Sequence, residues 1–218
     1  MRAAAFSRAA YTRYNLNQSE GAMPKAKPDL NLNPDDLLTA EYEYISNTVF
    51  QTNEDRSRVA SFYFVAVGSI VAAILGTQFA SDNLKGVSLA FSVLFIFLTI
   101  LGALTLAQLA RLRAAWHESV QAMNQLKDFY IKIHPEIRSA FKWHGSTIPP
   151  TDKPNSIANL IAFEVTLLGS LTTSAAVYFI LFSIGSIMPW GWMAILISFI
   201  VIFFAQWRWY KYLLVDDR

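Results

Sequence analysis

The sequence contains no cysteine and few of the residues that usually carry chemistry. With no cysteine among 218 residues, neither disulfides nor thiols indicate a redox compartment. None of the three histidines, His117, His134 and His144, has a partner at metal-ligand spacing such as HExxH. Nucleophile elbows, P-loops and dinucleotide fingerprints are also missing. The sequence therefore predicts no enzyme, no metal site and no cofactor.

Charge is missing from four long stretches of the chain. Asp, Glu, Lys, Arg and His are absent from 59–80, 86–110, 165–190 and 191–207. Each stretch approaches or exceeds the roughly 20 residues that a helix needs to cross about 30 Å of hydrocarbon. The composition agrees, because 54% hydrophobic residues and a mean hydropathy of +0.31 are too apolar for an ordinary soluble domain.

These runs predict an all-α membrane protein with four transmembrane helices. The expected spans are about 59–80, 87–110, 163–187 and 191–207. The third and fourth could form one broken segment, but residues 160–206 are about twice the length that one crossing needs. A tight turn at the sequence MPWGW, outside the membrane, therefore separates them in our interpretation.

The basic residues predict the orientation of the chain. Seven of the 18 Lys and Arg precede the first span, seven lie between the second and third, and three follow the last. Only Lys85 falls in a loop on the opposite side. Positive charge favours the cytoplasmic side, so both termini and residues 111–156 are expected there. The predicted location is the bacterial plasma membrane, with the mitochondrial inner membrane as the alternative.

Basic and aromatic residues flank the predicted spans, where they would contact lipid headgroups. We predict this interfacial role for a set of eight residues: Arg56, Arg58, Arg111, Trp190, Trp192, Trp207, Arg208 and Trp209. A basic and aromatic mixture can also stack on nucleic acid, but directly after an apolar span it is more often an anchor. The lipid bilayer is thus an expected partner and nucleic acid is not.

The first two spans are expected to continue into long helices. Asn33-Pro34-Asp35-Asp36 is typical of a helix start, and Pro135 ends the second helix. Apolar residues recur at helical spacing before the first span, in 34–58, and after the second span, in 111–133. They predict a helical hairpin over 34–133 whose stalk projects into the cytoplasm. The stripes would face each other or a neighbouring subunit, so self-association or a membrane protein partner is expected here.

Three segments remain outside this hairpin and the last two spans. Residues 1–33 are predicted to be a disordered or targeting tail, or upstream sequence before a start at Met23. Residues 134–156 form an amphipathic segment that could lie in the inner interface, then a proline-rich linker in which Asn155 or Ser156 caps the third span. Residues 208–218 are a cytoplasmic tail.

Two features within the membrane suggest packing or function. Gly68, Ala72 and Gly76 lie four residues apart, a spacing that lets helices approach closely. We favour packing within the chain over an oligomer interface. Glu164 is the one acidic residue that borders a span. It is expected at the inner boundary, where Arg58, Arg111 or Arg208 could neutralise it.

Three sequence segments carry a resemblance to a known family. They are the tyrosine-rich EYEY and the basic DRSR before the first span, and RAAWHESVQAMNQL after the second. With the order helix, span, short turn, span, helix, residues 34–133 resemble the SLATT superfamily of small bacterial membrane proteins. The resemblance implies a pore-forming effector associated with nucleotide-signalling defence.

Three functional hypotheses follow. The first is a non-enzymatic scaffold or accessory subunit that acts through helix packing and its stalk. The second is a homo-oligomeric pore or membrane effector of SLATT type. The third, a small transporter or membrane enzyme, is disfavoured because the spans lack paired ionisable groups and internal proline breaks.

Overall fold

The computed structural model of the chain describes residues 33–76, 84–141, 144–185 and 188–216. Four α-helices account for most of these residues, joined by short 3₁₀ segments between the second and third. The helices are α1, Pro34–Gly76; α2, Leu84–Ile133; α3, Ile157–Ile184; and α4, Pro189–Asp216. Within the described chain, residues 38–216 belong to one compact unit. The predicted tail at 1–33 lies almost entirely outside the described residues.

Helix α1 begins where the sequence predicts. The Asp35 backbone N–H donates to Asn33 Oδ1 at 3.2 Å, and the Leu37 N–H donates to the Asn33 carbonyl at 3.2 Å. These bonds satisfy N–H groups that have no partner within the helix. No glycine or proline then interrupts the chain before Gly68, and the helix continues for 43 residues. It is therefore about 65 Å long.

Helix α2 is the longest element, with 50 residues and a length of about 75 Å. It begins at Leu84, so Leu84 and Lys85 of the predicted SDNLK turn are helical, while residues 81–83 lie outside the described residues. The His134 N–H donates to the Tyr130 carbonyl at 2.8 Å, and Pro135 then ends the helix, as predicted. Both helices of the hairpin are thus much longer than a bilayer crossing requires.

The segment after α2 is irregular. Pro135–Ala140 and Gly145–Thr147 are short 3₁₀ helices, and no longer amphipathic helix is present among the described residues of 134–156. The segment contacts α2, since Lys127 Nζ lies 5.8 Å from the centroid of the Phe141 ring. Four prolines and the glycine at 145 explain the irregular backbone.

The start of α3 resolves the two capping alternatives. Ser156 is the cap, because its side-chain oxygen accepts from the Asn159 N–H at 3.3 Å. Asn155 instead adopts a positive φ of 59°, a conformation that asparagine tolerates better than most residues. At the other end of α3, most of the predicted MPWGW turn belongs to the next helix. Helix α4 already begins at Pro189, so Trp190 and Gly191 are helical.

The core lies where the four helices meet. Its fully buried side chains come from every helix: Tyr63 from α1, Leu98 and Leu106 from α2, Val165 from α3, and Tyr210 from α4. Aromatic rings join neighbouring helices, with Phe95 stacked on Phe179 at 5.6 Å and Phe163 edge-on to Trp207 at 5.9 Å.

Hydroxyl groups add polar contacts between α2 and α3 within the apolar runs. Ser88 Oγ donates to the Phe179 carbonyl at 2.7 Å. Thr99 Oγ1 lies 3.1 Å from the hydroxyls of both Thr172 and Thr173. Such bonds join helices in lipid, where the hydrophobic effect cannot drive their association.

All four helices are long and apolar enough to span a membrane. In their most apolar 18-residue windows, between 11% and 28% of the residues are buried inside the chain. The outer surface of these windows is therefore largely apolar, as expected for a protein surrounded by hydrocarbon. The prediction of four apolar helices is confirmed.

Candidate functional site

The parts of α1 and α2 beyond the first two apolar runs form what we call the extension, residues 38–58 and 111–133. The apolar stripes predicted in these ranges face each other. Ile45 and Thr52 of α1 are buried. A groove of about 350 Å³ lies beside them, between α1, α2 and the segment that follows α2. We call it the hairpin groove, and nine residues line it: Tyr42, Val49, Trp116, Val120, Met123, Asn124, Lys127, Ile148 and Pro149.

The wall of the hairpin groove is mainly apolar and aromatic, with a few polar groups. Asn124 is 2% exposed, and its Nδ2 donates to the Val120 carbonyl at 2.9 Å. Its Oδ1 is buried and has no hydrogen-bond partner among the described residues. The ammonium group of Lys127 lies one turn further along the same helix. This mixture of apolar walls and few polar groups is typical of small-molecule pockets.

Two arginines lie close together near the membrane end of the extension. Arg113 of α2 is 6% exposed, and its guanidinium lies 4.4 Å from the centroid of the Trp116 ring. Burial lowers the pKa of Arg113, the neighbouring charge of Arg56 lowers it further, and Tyr210 opposes both effects. Arg56 is half-buried, and burial lowers its pKa as well. We call these residues, both outside the predicted spans, the arginine pair.

Of the two arginines, Arg113 attaches the proline-rich linker to the helices. Arg113 Nε donates to the Thr151 carbonyl at 3.0 Å, and Nη2 donates to the Pro150 carbonyl at 3.4 Å. Thr151 Oγ1 in turn donates to the Leu214 carbonyl of α4 at 3.4 Å. Arg113 therefore fastens the linker at the point where α2 and α4 approach each other. Its buried charge is stabilised by these carbonyls and by the Trp116 ring.

The two arginines of the charged cluster before the first apolar run have different surroundings. Arg58 is exposed and pairs with Glu54 at 2.6 Å, the i,i+4 pair that the sequence favours. Arg56, by contrast, points toward α2, and its Nη2 donates to Asn53 Oδ1 at 2.6 Å. Arg58 is thus placed to contact headgroups or solvent, whereas much of Arg56 is enclosed by protein.

The predicted neutralisation of Glu164 is not formed. Glu164 is exposed, and among the described residues no ion pair joins it to Arg58, Arg111 or Arg208. Arg58 is engaged with Glu54 instead, while Arg111 and Arg208 are exposed. A short exposed side chain at a helix surface can be solvated without a protein partner, which explains why no pair is required.

The predicted tryptophans differ in their surroundings. Trp190 and Trp192, at the start of α4, are 59% and 60% exposed. Trp207 is half-buried, and Lys211 Nζ lies 5.2 Å from its ring centroid while donating to Asn159 Oδ1 at 3.0 Å. Trp209 is 39% exposed. The exposed rings are free to lie at the headgroup level, whereas Trp207 joins α4 to α3.

The small residues of α1 do not pack within the described part of the chain. Gly68, Ala72 and Gly76 are exposed, and a Cβ added at Gly68 or Gly76 would meet no atom within 4 Å. Our preferred prediction of packing within the chain is therefore wrong for this face. The outward direction of Gly68 follows from Tyr63 and Val67, which turn the opposite face of α1 to the core.

Close helix approach occurs at two other glycines. A Cβ added at Gly102 of α2 would lie 2.6 Å from Tyr63 Oη, and one added at Gly169 of α3 would lie 2.6 Å from Gln206 Oε1. Neither polar atom has a well-formed hydrogen bond among the described residues. Gly102 has no small residue four positions away and gave no signal in the sequence, so its contact was missed. Gly169 and Thr173 do have the four-residue spacing that favours close helix approach, and Gly169 packs within the chain, as we prefer for such residues. Asn124 and Arg113 were missed because only the fold shows their burial.

The described residues contain no cluster of three or more His, Cys, Asp or Glu that could hold a metal ion. Comparison with protein-family models, curated proteins and solved structures finds no match to this chain. The resemblance to the SLATT superfamily therefore stays a prediction.

Proposed function

We propose that this chain is a non-enzymatic integral membrane scaffold or accessory subunit that acts through helix packing and through its extension. We place it in the bacterial plasma membrane, with both termini and the extension in the cytoplasm. The support for this orientation is that 17 of 18 Lys and Arg fall on one side of the four predicted spans.

The observation that carries the proposal is a pair of exposed aromatic residues on two sides of the extension. Tyr44 and Phe50 of α1 are 68% and 71% exposed, on sides of the helix turned away from the hairpin groove. Both precede the first apolar run, so lipid tails do not cover them in the proposed orientation. Exposed large aromatics on a rigid helix are favourable anchors for a protein partner.

Crosslinking in cells tests the scaffold proposal. The chain has no cysteine, so Gln51→Cys places a single reactive thiol two turns after Tyr44, on the same exposed side of α1. We expect a bismaleimide to join this thiol to a different protein, and Tyr44→Ser to remove the adduct. Lys153→Cys, an exposed position outside the extension, is the matched control. Adducts between copies of this chain alone, with no partner after gentle-detergent purification, would contradict the proposal.

One observation favours a second candidate, a homo-oligomeric pore or effector of SLATT type. The outward face formed by Gly68, Ala72 and Gly76 has the spacing that brings transmembrane helices together, and no described part of the chain covers Gly68. A second copy would place its own small-residue face there. Such a dimer is the first step toward a larger assembly around an axis.

Release of a dye from liposomes tests this candidate. The purified chain should release the dye, and Gly68→Leu should abolish release by separating the two copies. Ala73→Leu is the control, because Ala73 is exposed and lies five residues after Gly68, on another side of the same helix. Equal dye release by both variants would show that the small-residue face is not needed for release. No release by the unaltered chain under any tested trigger would remove the pore itself.

A further inference from the structure

The hairpin groove has the size and composition of a site for a small molecule. Its volume of about 350 Å³ lies at the lower end of the range for ligand pockets, roughly 300 to 1,000 Å³. Tyr42 and Trp116 provide aromatic surface on opposite helices. The guanidinium of Arg113 stacks on Trp116 and holds that ring in place.

The orientation of the Asn124 amide is fixed by its neighbour. Its Nδ2 lies 2.9 Å from the Val120 carbonyl, an atom that can only accept a hydrogen bond, so the nitrogen must face Val120. The oxygen is then left without a donor among the described residues, in a side chain that is 2% exposed. A buried acceptor without a donor costs free energy, and a bound N–H or O–H group would recover it.

Lys127 supplies positive charge to the same groove. It lies three residues after Asn124 on α2, so both side chains project from one face. No ion pair joins Lys127 to a carboxylate of the described chain. Its ammonium lies 5.8 Å from the Phe141 ring, a weak contact that leaves its three donors available.

Asn124 also borders a second cavity, which is more polar. His117, Gln121 and Asp128 contribute to its lining, and Asp128 is its carboxylate. The aromatic residues Tyr42 and Trp116 border only the hairpin groove. The aromatic part of a ligand is therefore expected on the Trp116 side of Asn124, away from the carboxylate of Asp128.

We propose that the hairpin groove binds a small planar aromatic molecule that carries an N–H or O–H donor on its ring and a negatively charged group. The ring lies against Trp116 and Tyr42, the donor bonds to Asn124 Oδ1, and the anion pairs with Lys127. This inference does not depend on the scaffold proposal, which uses Tyr44 and Phe50 on other sides of α1.

Indole-3-acetate is a suitable probe, because it combines a planar ring, one N–H group and a carboxylate. Saturation-transfer NMR measures its binding to the full chain in lipid nanodiscs, with empty nanodiscs as the blank. Two analogues test the hydrogen bond and the charge pairing separately. 1-Methylindole-3-acetate lacks the N–H donor, and 3-methylindole lacks the carboxylate. The variants are Asn124→Leu and Lys127→Gln, with Lys132→Gln as the control at an exposed position of the same helix.

The proposal requires saturable binding of indole-3-acetate to the chain. Asn124→Leu should weaken it about fivefold to tenfold, the effect of one hydrogen bond to a buried acceptor. The same variant should leave 1-methylindole-3-acetate unchanged, which separates loss of the bond from a misfolded groove. Lys127→Gln should weaken the binding of indole-3-acetate and of 1-methylindole-3-acetate but not that of 3-methylindole. Lys132→Gln should leave the binding of all three probes unchanged.

Three results would overturn the proposal. One is a signal equal to that of empty nanodiscs, which shows partition into lipid only. Another is equal affinity of the unaltered chain and Asn124→Leu for indole-3-acetate. The third is an absence of saturable binding for all three probes up to millimolar concentration.

Discussion

Replacing Gly102 by alanine measures how closely α1 and α2 must approach in the core. The added Cβ would lie 2.6 Å from Tyr63 Oη, 2.9 Å from Cζ and 3.3 Å from Cε2. Tyr63 is 0% exposed, so its ring is enclosed and cannot swing aside. The helices must separate or the ring must take an unfavourable rotamer, and such overpacking costs roughly 1 to 3 kcal/mol. Alanine returns up to about 1 kcal/mol through its higher helix propensity.

With the full propensity gain, the expected net loss for Gly102→Ala is therefore up to about 2 kcal/mol of unfolding free energy. Two other glycines provide matched comparisons. At Gly169 the added Cβ meets the amide end of Gln206, a flexible group that can move, so the loss should stay under about 1 kcal/mol. At Gly68 it meets nothing within 4 Å, so the change should be neutral or stabilising.

Unfolding by SDS titration in mixed micelles measures these differences. The predicted order of stability is Gly68→Ala, then Gly169→Ala, then Gly102→Ala. Tyr63→Phe removes the atom that comes closest to the new methyl group, so it should restore part of the loss when combined with Gly102→Ala. If Gly102→Ala unfolds at the same SDS fraction as Gly68→Ala, the close approach of the two helices is not required for stability.

Three further predictions concern polar contacts. Arg113→Gln removes the bonds to the linker, so hydrogen exchange at 144–156 should become faster, whereas the exposed Arg111→Gln should leave it unchanged. Thr99→Val removes the bonds to α3 and should lower the unfolding free energy by about 0.6 to 1.7 kcal/mol in mixed micelles; no change would mean that these hydroxyls are satisfied within their own helices. Ser156→Ala removes the cap of α3 and should cost about 1 kcal/mol in the same titration, while Ser156→Thr should cost less.

Local signals in the sequence were sufficient to predict the four helices. Long stretches without charge predict the apolar helices, and Asn33 and Pro135 mark the outer ends of the hairpin. These features act through neighbouring residues of one segment, so no knowledge of the fold is needed. The stripes in 34–58 and 111–133 were equally reliable, because burial of one helix face follows directly from its 3.6-residue period.

The candidate sites could be predicted only in part. Trp116 and Met123 belong to a stripe that was expected to pack, but the sequence does not reveal that the packing leaves a groove. In the sequence, Asn124 looks like any other polar residue of a long helix. Only the fold shows that it is buried. The groove is completed by Ile148 and Pro149, which come from a distant segment without regular structure, held by the bond from Arg113 to the Pro150 carbonyl.

The unbroken length of α1 has a mechanical consequence. Residues 35–67 of α1 contain neither proline nor glycine, so this part of the helix has no built-in hinge and behaves as a stiff lever. A tilt of roughly 5° within the lipid would displace the far end of an arm about 35 Å long by about 3 Å. Changes in bilayer thickness or lateral pressure that tilt the helix would thus displace Tyr44 and Phe50 sideways, without any local unfolding.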